Sequence, residues 1–398
     1  MTAITTFEHT IDLKKTRIAI RLIFLFAGLA ISSWAPMVPY AKARLHLDDA
    51  QLGLVLLAFG VGALFTMPLT GWLIKRFGSR KVIFISGLLI ICNLPFLTIA
   101  PSAYHLSLIL VIFGGACGAM NVSINSQAVI MEKKADFPLM SGFHCLFSVG
   151  GLFGATIISM MLEADFHLFY CALSMSILLV ALLFSQTRHL FHSISDIRNV
   201  DQKSKFELPK GKIWLLGILC FISFLAEGSI LEWSAEFLYS VHDFDPSLAG
   251  IGYAIFSIAM SFGRLTGDKI IARFGPLAVV QLGSLIAASG FIIAVNFSWA
   301  HIELLGFFLI GIGASNIVSI LFSSAGRLPE TSPSSALTFI ITFGYTGILL
   351  GPAFIGFVAE VTSLSFALTG VAFLLIGVGL TCHKVLNPIQ LQQQELAI

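Results

Sequence analysis

The chain has 398 residues, of which 57% are hydrophobic and 11% charged, with a formal net charge of +2. Soluble domains carry roughly 25% charged residues, so this composition leaves too few charges to clothe a water-exposed surface. An ordinary soluble enzyme, a nucleic-acid binder and a disordered chain are excluded, and a membrane protein with many spans remains.

In chain order, twelve apolar segments reach the length of about 20 residues that a helix needs to cross the hydrocarbon. They are 18–41, 50–74, 81–100, 104–131, 138–162, 166–187, 213–240, 247–271, 277–297, 302–325, 335–359 and 363–384, numbered here as spans 1 to 12. Runs such as Val82–Ile91 and Val371–Leu380 are apolar on every side. That pattern fits helices, not the alternating strands of a membrane barrel. The expected fold is therefore an all-α membrane protein with twelve transmembrane helices.

An even number of spans places both termini on one side. With the N-terminus inside, 21 of the 23 Lys and Arg residues fall inside, and only Lys42 and Arg44 fall outside. The positive-inside rule then predicts cytoplasmic termini and a cytoplasmic (inner) membrane location. The first 17 residues are polar and mixed, so no removable signal peptide is expected. Cys92, Cys117, Cys145, Cys171, Cys220 and Cys382 all lie inside spans without paired spacing, and they read as packing residues.

The longest polar stretch divides the chain into an N-terminal bundle (1–187), a cytoplasmic linker (188–212) and a C-terminal bundle (213–398). The halves repeat. Leu69-Thr70-Gly71 matches Leu265-Thr266-Gly267, and both precede Arg-Phe-Gly, at Arg76-Phe77-Gly78 and Arg273-Phe274-Gly275. Gly118-Ala119-Met120-Asn121 matches Gly313-Ala314-Ser315-Asn316, and Gly150 and Gly154 match Gly347 and Gly351, all at offsets of 195–197. Two like-oriented six-helix bundles place a binding site between them near the midplane, and rocking exposes it to each side in turn.

On these residues the chain resembles the major facilitator superfamily. The loop after span 2, from Gly71 through Lys75, Arg76, Gly78 and Arg80, is similar to that family's signature, with Lys75 standing where an acid is usual. Span 8 carries Gly263-Arg264 and Gly267-Asp268, which keeps an acid shifted by one residue. The resemblance implies the family's fold of two pseudo-symmetric six-helix bundles, and a cytoplasmic gate at Gly71, Arg76, Gly78, Arg80, Arg264 and Asp268. Further stretches are similar to a bacterial inner-membrane branch, the YbjJ-like transporters. These are Ser33-Trp34-Ala35-Pro36, Asn121 to Gln127, Ser141 to His144, Glu227-Gly228 with Glu232-Trp233-Ser234, and Gly344-Tyr345 with Gly351-Pro352.

Most acids fall in loops or at span ends, but Glu227 lies 14 residues after Ile213, about 21 Å into its helix at ~1.5 Å per residue. An intramembrane acid costs at least about 2.5–3.5 kcal/mol unless it faces water or a partner, which makes Glu227 the first candidate for proton coupling. Glu232 is the second, although it lies about 140° around a straight helix and would need a break near Gly228. His144 is a third candidate, as a proton relay. Substrate-binding candidates are the amides Asn121, Asn125 and Asn316 and the aromatics Trp34, Trp233 and Tyr345; gluing of helices and interfacial anchoring are the competing roles. Arg264 and Asp268, four apart, are expected to pair at the cytoplasmic end of span 8.

No P-loop and no metal-ligand cluster occurs, so ATP-driven transport, enzymatic chemistry and a cofactor are not expected. The expectation is a monomeric secondary transporter that meets a small-molecule substrate, protons and the bilayer, and no nucleic acid. It would work by alternating access, coupled to protons as symport or antiport. With no Lys or Arg recognised at midspan, an uncharged or weakly polar solute is expected. The alternatives are a transporter-like sensor or binding protein without flux, and a drug or lipid exporter.

Overall fold

The computed structural model describes residues 12–47, 49–191, 211–241, 251–297, 299–327 and 333–386. Its elements are helical, and they form the twelve spans. Span 1 starts at Leu13 because the Asp12 carboxylate accepts the Lys14 and Lys15 amides, both at 3.1 Å. Its first helix, Leu13–Ser32, is followed by a 3-10 turn, Ala35–Met37, and a short helix, Val38–Leu45. Pro36 and Pro39 each remove a backbone donor, which accounts for a break where one continuous segment is expected.

Spans 2 to 7 are Asp49–Phe77, Ser79–Ile99, Ala103–Ala135, Met140–Glu163, Leu168–Thr187 and Lys212–Ser240. The next run, Ile251–Asn296, has 46 residues, about 69 Å if straight, more than twice the hydrocarbon thickness. Gly275 divides it into spans 8 and 9 with φ 78° and ψ 157°. Gly78, at the equivalent turn between spans 2 and 3, has φ 83° and ψ 146°. The Arg-Phe-Gly repeat therefore marks one backbone turn used twice, in a conformation open essentially to glycine alone. Span 10 is also broken, into Ala300–Ala314 and Ile317–Ala325; spans 11 and 12 are Pro333–Val361 and Leu364–Thr381.

Within each bundle, small residues let backbones touch. A side chain on Gly150 of span 5 would strike the Leu25 carbonyl of span 1, and one on Gly347 of span 11 would strike the Phe221 carbonyl of span 7. Gly151 does not share this role, since open space lies where its Cβ would be. Apolar side chains also cover the outside: Leu54, Phe65, Ile258 and Phe357 are each at least 68% exposed. On a water-soluble globule such a surface would be an aggregation liability; in a bilayer it meets acyl chains.

The bundles meet where span 5 packs on span 8 and span 2 on span 11, with spans 4 and 10 closing between them. The linker expected at 188–212 lies mostly outside the described residues. Its beginning is pinned to the first bundle by Gln127, fully buried, which exchanges two 3.0 Å hydrogen bonds with the Phe191 backbone.

Candidate functional site

Glu227 of span 7 meets Arg264 of span 8 halfway along both helices. Their Oε2 and Nη2 are 3.5 Å apart, and the two side chains are 12% and 11% exposed. Arg264 lies 13 residues after Ile251, about 20 Å into its span. A midspan cation is thus present, contrary to the sequence expectation. Its ties go three ways. Nη1 donates to Ser148 Oγ of span 5 at 2.9 Å, and Nε donates to the Ser315 carbonyl of span 10 at 3.3 Å. The guanidinium therefore bridges both bundles. The Ser315 carbonyl lies at the break in span 10, a feature the apolar run 302–325 does not reveal. Glu227 Oε1 is buried and makes no hydrogen bond among the described residues.

One turn before Ser148, His144 sits with its ring edge-on to Phe24, at 5.3 Å between centroids, and tilted against Phe322, at 5.9 Å. Its Nε2 lies 3.2 Å from Asn125 Oδ1. Asn125 spends its amide donors on Asn121, on the backbone carbonyl at 2.9 Å and on Oδ1 at 2.8 Å. Oδ1 is therefore the acceptor and His144 Nε2 the donor. Buried Asn125 has both amide donors engaged, whereas half-buried Asn121 keeps its amide donors unengaged among the described residues. Asn316 also has both amide donors engaged. It donates to the Gly263 carbonyl at 3.1 Å and to Ser315 Oγ at 3.0 Å, and accepts from Ser141 Oγ at 2.6 Å. It ties Ser141 of one bundle to Gly263 of the other. Tyr345 is half-buried, edge-on to Phe224 of span 7.

Several expected site residues lie elsewhere. Span 7 runs unbroken through Gly228, so Glu232 stays on its own face, exposed and away from the Arg264 cluster. Trp34 is packed in the first bundle's core at 8% exposure. Trp233 lies over Gly356 of span 11, with Cζ2 2.9 Å from where a Cβ would stand. Neither indole is brought to the charged pair.

On the side that carries the basic loops, polar side chains clasp one bundle to the other. The expected Arg264–Asp268 pair is not made. Asp268 Oδ2 instead accepts the Gly142 amide at the start of span 5 at 3.0 Å, with Arg21 of span 1 close by. Glu132, at the end of span 4 and 3% exposed, is the residue that sequence reasoning missed. Its Oε2 accepts the Leu139 and Met140 amides at 2.8 and 2.9 Å. Its Oε1 accepts from Ser323 Oγ and, at 3.3 Å, from Arg327 Nη2, both on the other bundle's side. Two carboxylates thus cap one helix start whose own N-cap, Leu139, supplies no side chain. Glu132, Ser323 and Arg327 wall a cavity of about 370 Å³ lined by both bundles, with Ser319 in its wall.

On the opposite flank Lys75 Nζ donates to Ser335 Oγ at 2.8 Å, so the residue at the usual acid position still crosses to the other bundle. Gly71 lets span 11 approach, with Thr338 Oγ1 2.8 Å from where its Cβ would be. Arg76 takes no part in the clasp. It folds back over Trp72 and Phe77, at 5.3 and 5.4 Å from the ring centroids. Gly78 makes the turn, and Arg80 is half-buried beside it.

The family model of the Major Facilitator Superfamily matches residues 21–352. The chain belongs to that superfamily. An MFS-type transporter of Yersinia pestis is 42% identical over 369 residues, covering 93% of this chain and 95% of that one. The membrane protein MosC of Rhizobium meliloti is 33% identical, with 95% and 91% covered. Among solved structures, the fucose:proton symporter FucP of E. coli superposes with a TM-score of 0.74 at 16% identity, covering 92% of this chain and 97% of that one. The proton:xylose symporter XylE gives 0.74 at 12% identity, covering 94% and 96%. At such identities these two establish the fold alone, and the superfamily membership makes the chain a multi-pass membrane transporter of the secondary type.

Proposed function

We propose that this MFS protein is a proton-coupled carrier of a small organic solute, working as a monomer in the bacterial cytoplasmic membrane. The basic side faces the cytoplasm, in keeping with the charge bias of the loops. The clasp of Glu132, Asp268 and Lys75 is the closed cytoplasmic gate, a reading supported by the bonds it makes from one bundle to the other.

The observation that carries the proposal is the Glu227–Arg264 pair, held at midspan and tied across the seam to Ser148. A proton on Glu227 cancels the carboxylate that holds Arg264 from span 7, while the ties to Ser148 and Ser315 remain. Protonation therefore changes which helices Arg264 joins, and that is the link between a proton and the rocking of the bundles. His144 and Asn121 line the same half-buried region and serve to orient the solute.

The test is reconstitution in liposomes that enclose a pH dye, with sugars, nucleosides, amino acids and monocarboxylates added in turn. The wild type should show a solute-dependent internal pH change, and Glu227→Gln should bind the same solute without it. A pH change of wild-type size in the variant would remove Glu227 from the mechanism.

A further inference from the structure

We infer that the transported solute carries a negative charge, a carboxylate above all, which Arg264 binds when Glu227 takes up its proton. The inference rests on proton coupling at Glu227 as proposed above, and it follows from charge balance at midspan. In the structure Glu227 and Arg264 compensate each other. Once Glu227 is neutral, Arg264 becomes a cation deep in the membrane with no anion to match it. Its other partners, the Ser148 hydroxyl and the Ser315 carbonyl, are uncharged. The neighbouring elements bring no further carboxylate to the guanidinium among the described residues: they carry His144 and Cys145 on span 5, Asn121 and Asn125 on span 4, Tyr345 on span 11 and Cys220 on span 7. Asp268, one turn along span 8, already accepts the Gly142 amide and lies beside Arg21.

A neutral solute would leave that positive charge standing; an anion removes it. The existing contacts leave room for the exchange. The Glu227–Arg264 contact is long, and Glu227 Oε1 has no donor among the described residues. A ligand carboxylate can accept two parallel N–H bonds from the guanidinium while also accepting the hydroxyl of protonated Glu227. Proton and anion then enter together, and the loaded carrier has the same net charge as the empty one. The expectation of an uncharged solute is thereby replaced, because it stood on the absence of a midspan cation.

The experiment uses the purified full-length protein and matched probes: propionate with propionamide, lactate with lactamide, and benzoate with benzamide. Binding is read as a dose-dependent thermal shift at pH 5.5 and 7.5. Glu227→Gln fixes the neutral state. At pH 7.5 it should bind at least one of the acids with an affinity tenfold or more above the wild type, and tenfold or more above that for the matching amide. In the wild type the preference for the acid should grow from pH 7.5 to 5.5. The charge-balanced double variant Glu227→Gln/Arg264→Gln, which should fold as it buries no lone charge, should lose the preference. Equal binding of acid and amide by Glu227→Gln, no binding of any acid, or a preference that survives in the double variant would each overturn the inference. The liposome assay above separates the two ideas. A pH change that depends on Glu227 but is driven by a neutral solute retains the coupling and rejects the anion, whereas one indifferent to Glu227 rejects both.

Discussion

Individual side chains fall into two separate sets, the charged pair at midspan and the cross-bundle clasp at the basic side. Glu132 belongs to the second. It takes two backbone amides, a hydroxyl and a guanidinium, and a hydrogen bond to a charged group contributes about 1.5–3 kcal/mol. Glu132→Gln should therefore loosen the clasp. With Ser319→Cys as a reporter in the cavity wall, alkylation from the basic side should quicken by about tenfold or more at that cost, while Glu132→Asp should fall in between. An unchanged rate would show that Glu132 does not hold the gate. Glu227 was visible in the sequence because depth along a helix can be counted. Its partner was not, since pairing depends on how two helices are turned towards each other. Counting four residues from Arg264 led to Asp268, which faces span 5 instead. Glu132 escaped notice because acids at helix ends are ordinarily solvated. One signal was available: with the repeat offset of 195, Glu132 falls on Arg327, opposite charges at equivalent places in the two halves.

Among the elements, the spans themselves were legible because hydrophobicity is the bilayer's own selection rule. Two breaks were not. That in span 1 follows from prolines that hydropathy overlooks. That in span 10 carries no proline or glycine at Ser315-Asn316; it is stabilised by Asn316 bonds to Gly263 and Ser141, which exist only in the folded molecule. The turns at Gly78 and Gly275 were readable as a repeat, though not as a conformation. Alanine at either position should cost about 1–3 kcal/mol for the strained backbone, seen as a lowered unfolding temperature of the purified protein. Alanine at Gly151, which meets open space and has no positive φ, should leave that temperature nearly unchanged. Equal effects at Gly275 and Gly151 would contradict the assigned turn.

For the whole molecule, alternating access requires the clasped side to part. Lys75 Nζ and Ser335 Oγ are 2.8 Å apart across the seam, and the native cysteines apart from Cys92 are buried. Lys75→Cys/Ser335→Cys, joined by a short bifunctional thiol crosslinker in a Cys92→Ser background, should bind solute from the opposite side yet carry none across. The uncrosslinked variant should transport. Transport by the crosslinked protein would mean that the basic side need not open.

The double capping of span 5 bears on how far apart in energy the two states stand. Of the two acids at that helix start, Glu132 comes from the same half of the chain and Asp268 from the other. When the halves separate, Asp268 departs and Glu132 stays. The helix is never left bare: of its two caps the opened form forfeits the Asp268 one, about 1.5–3 kcal/mol, besides the bonds from Ser323 and Arg327 to Glu132 that also cross the seam. Keeping half of the cap in both states narrows the gap that the binding of a solute and a proton has to bridge.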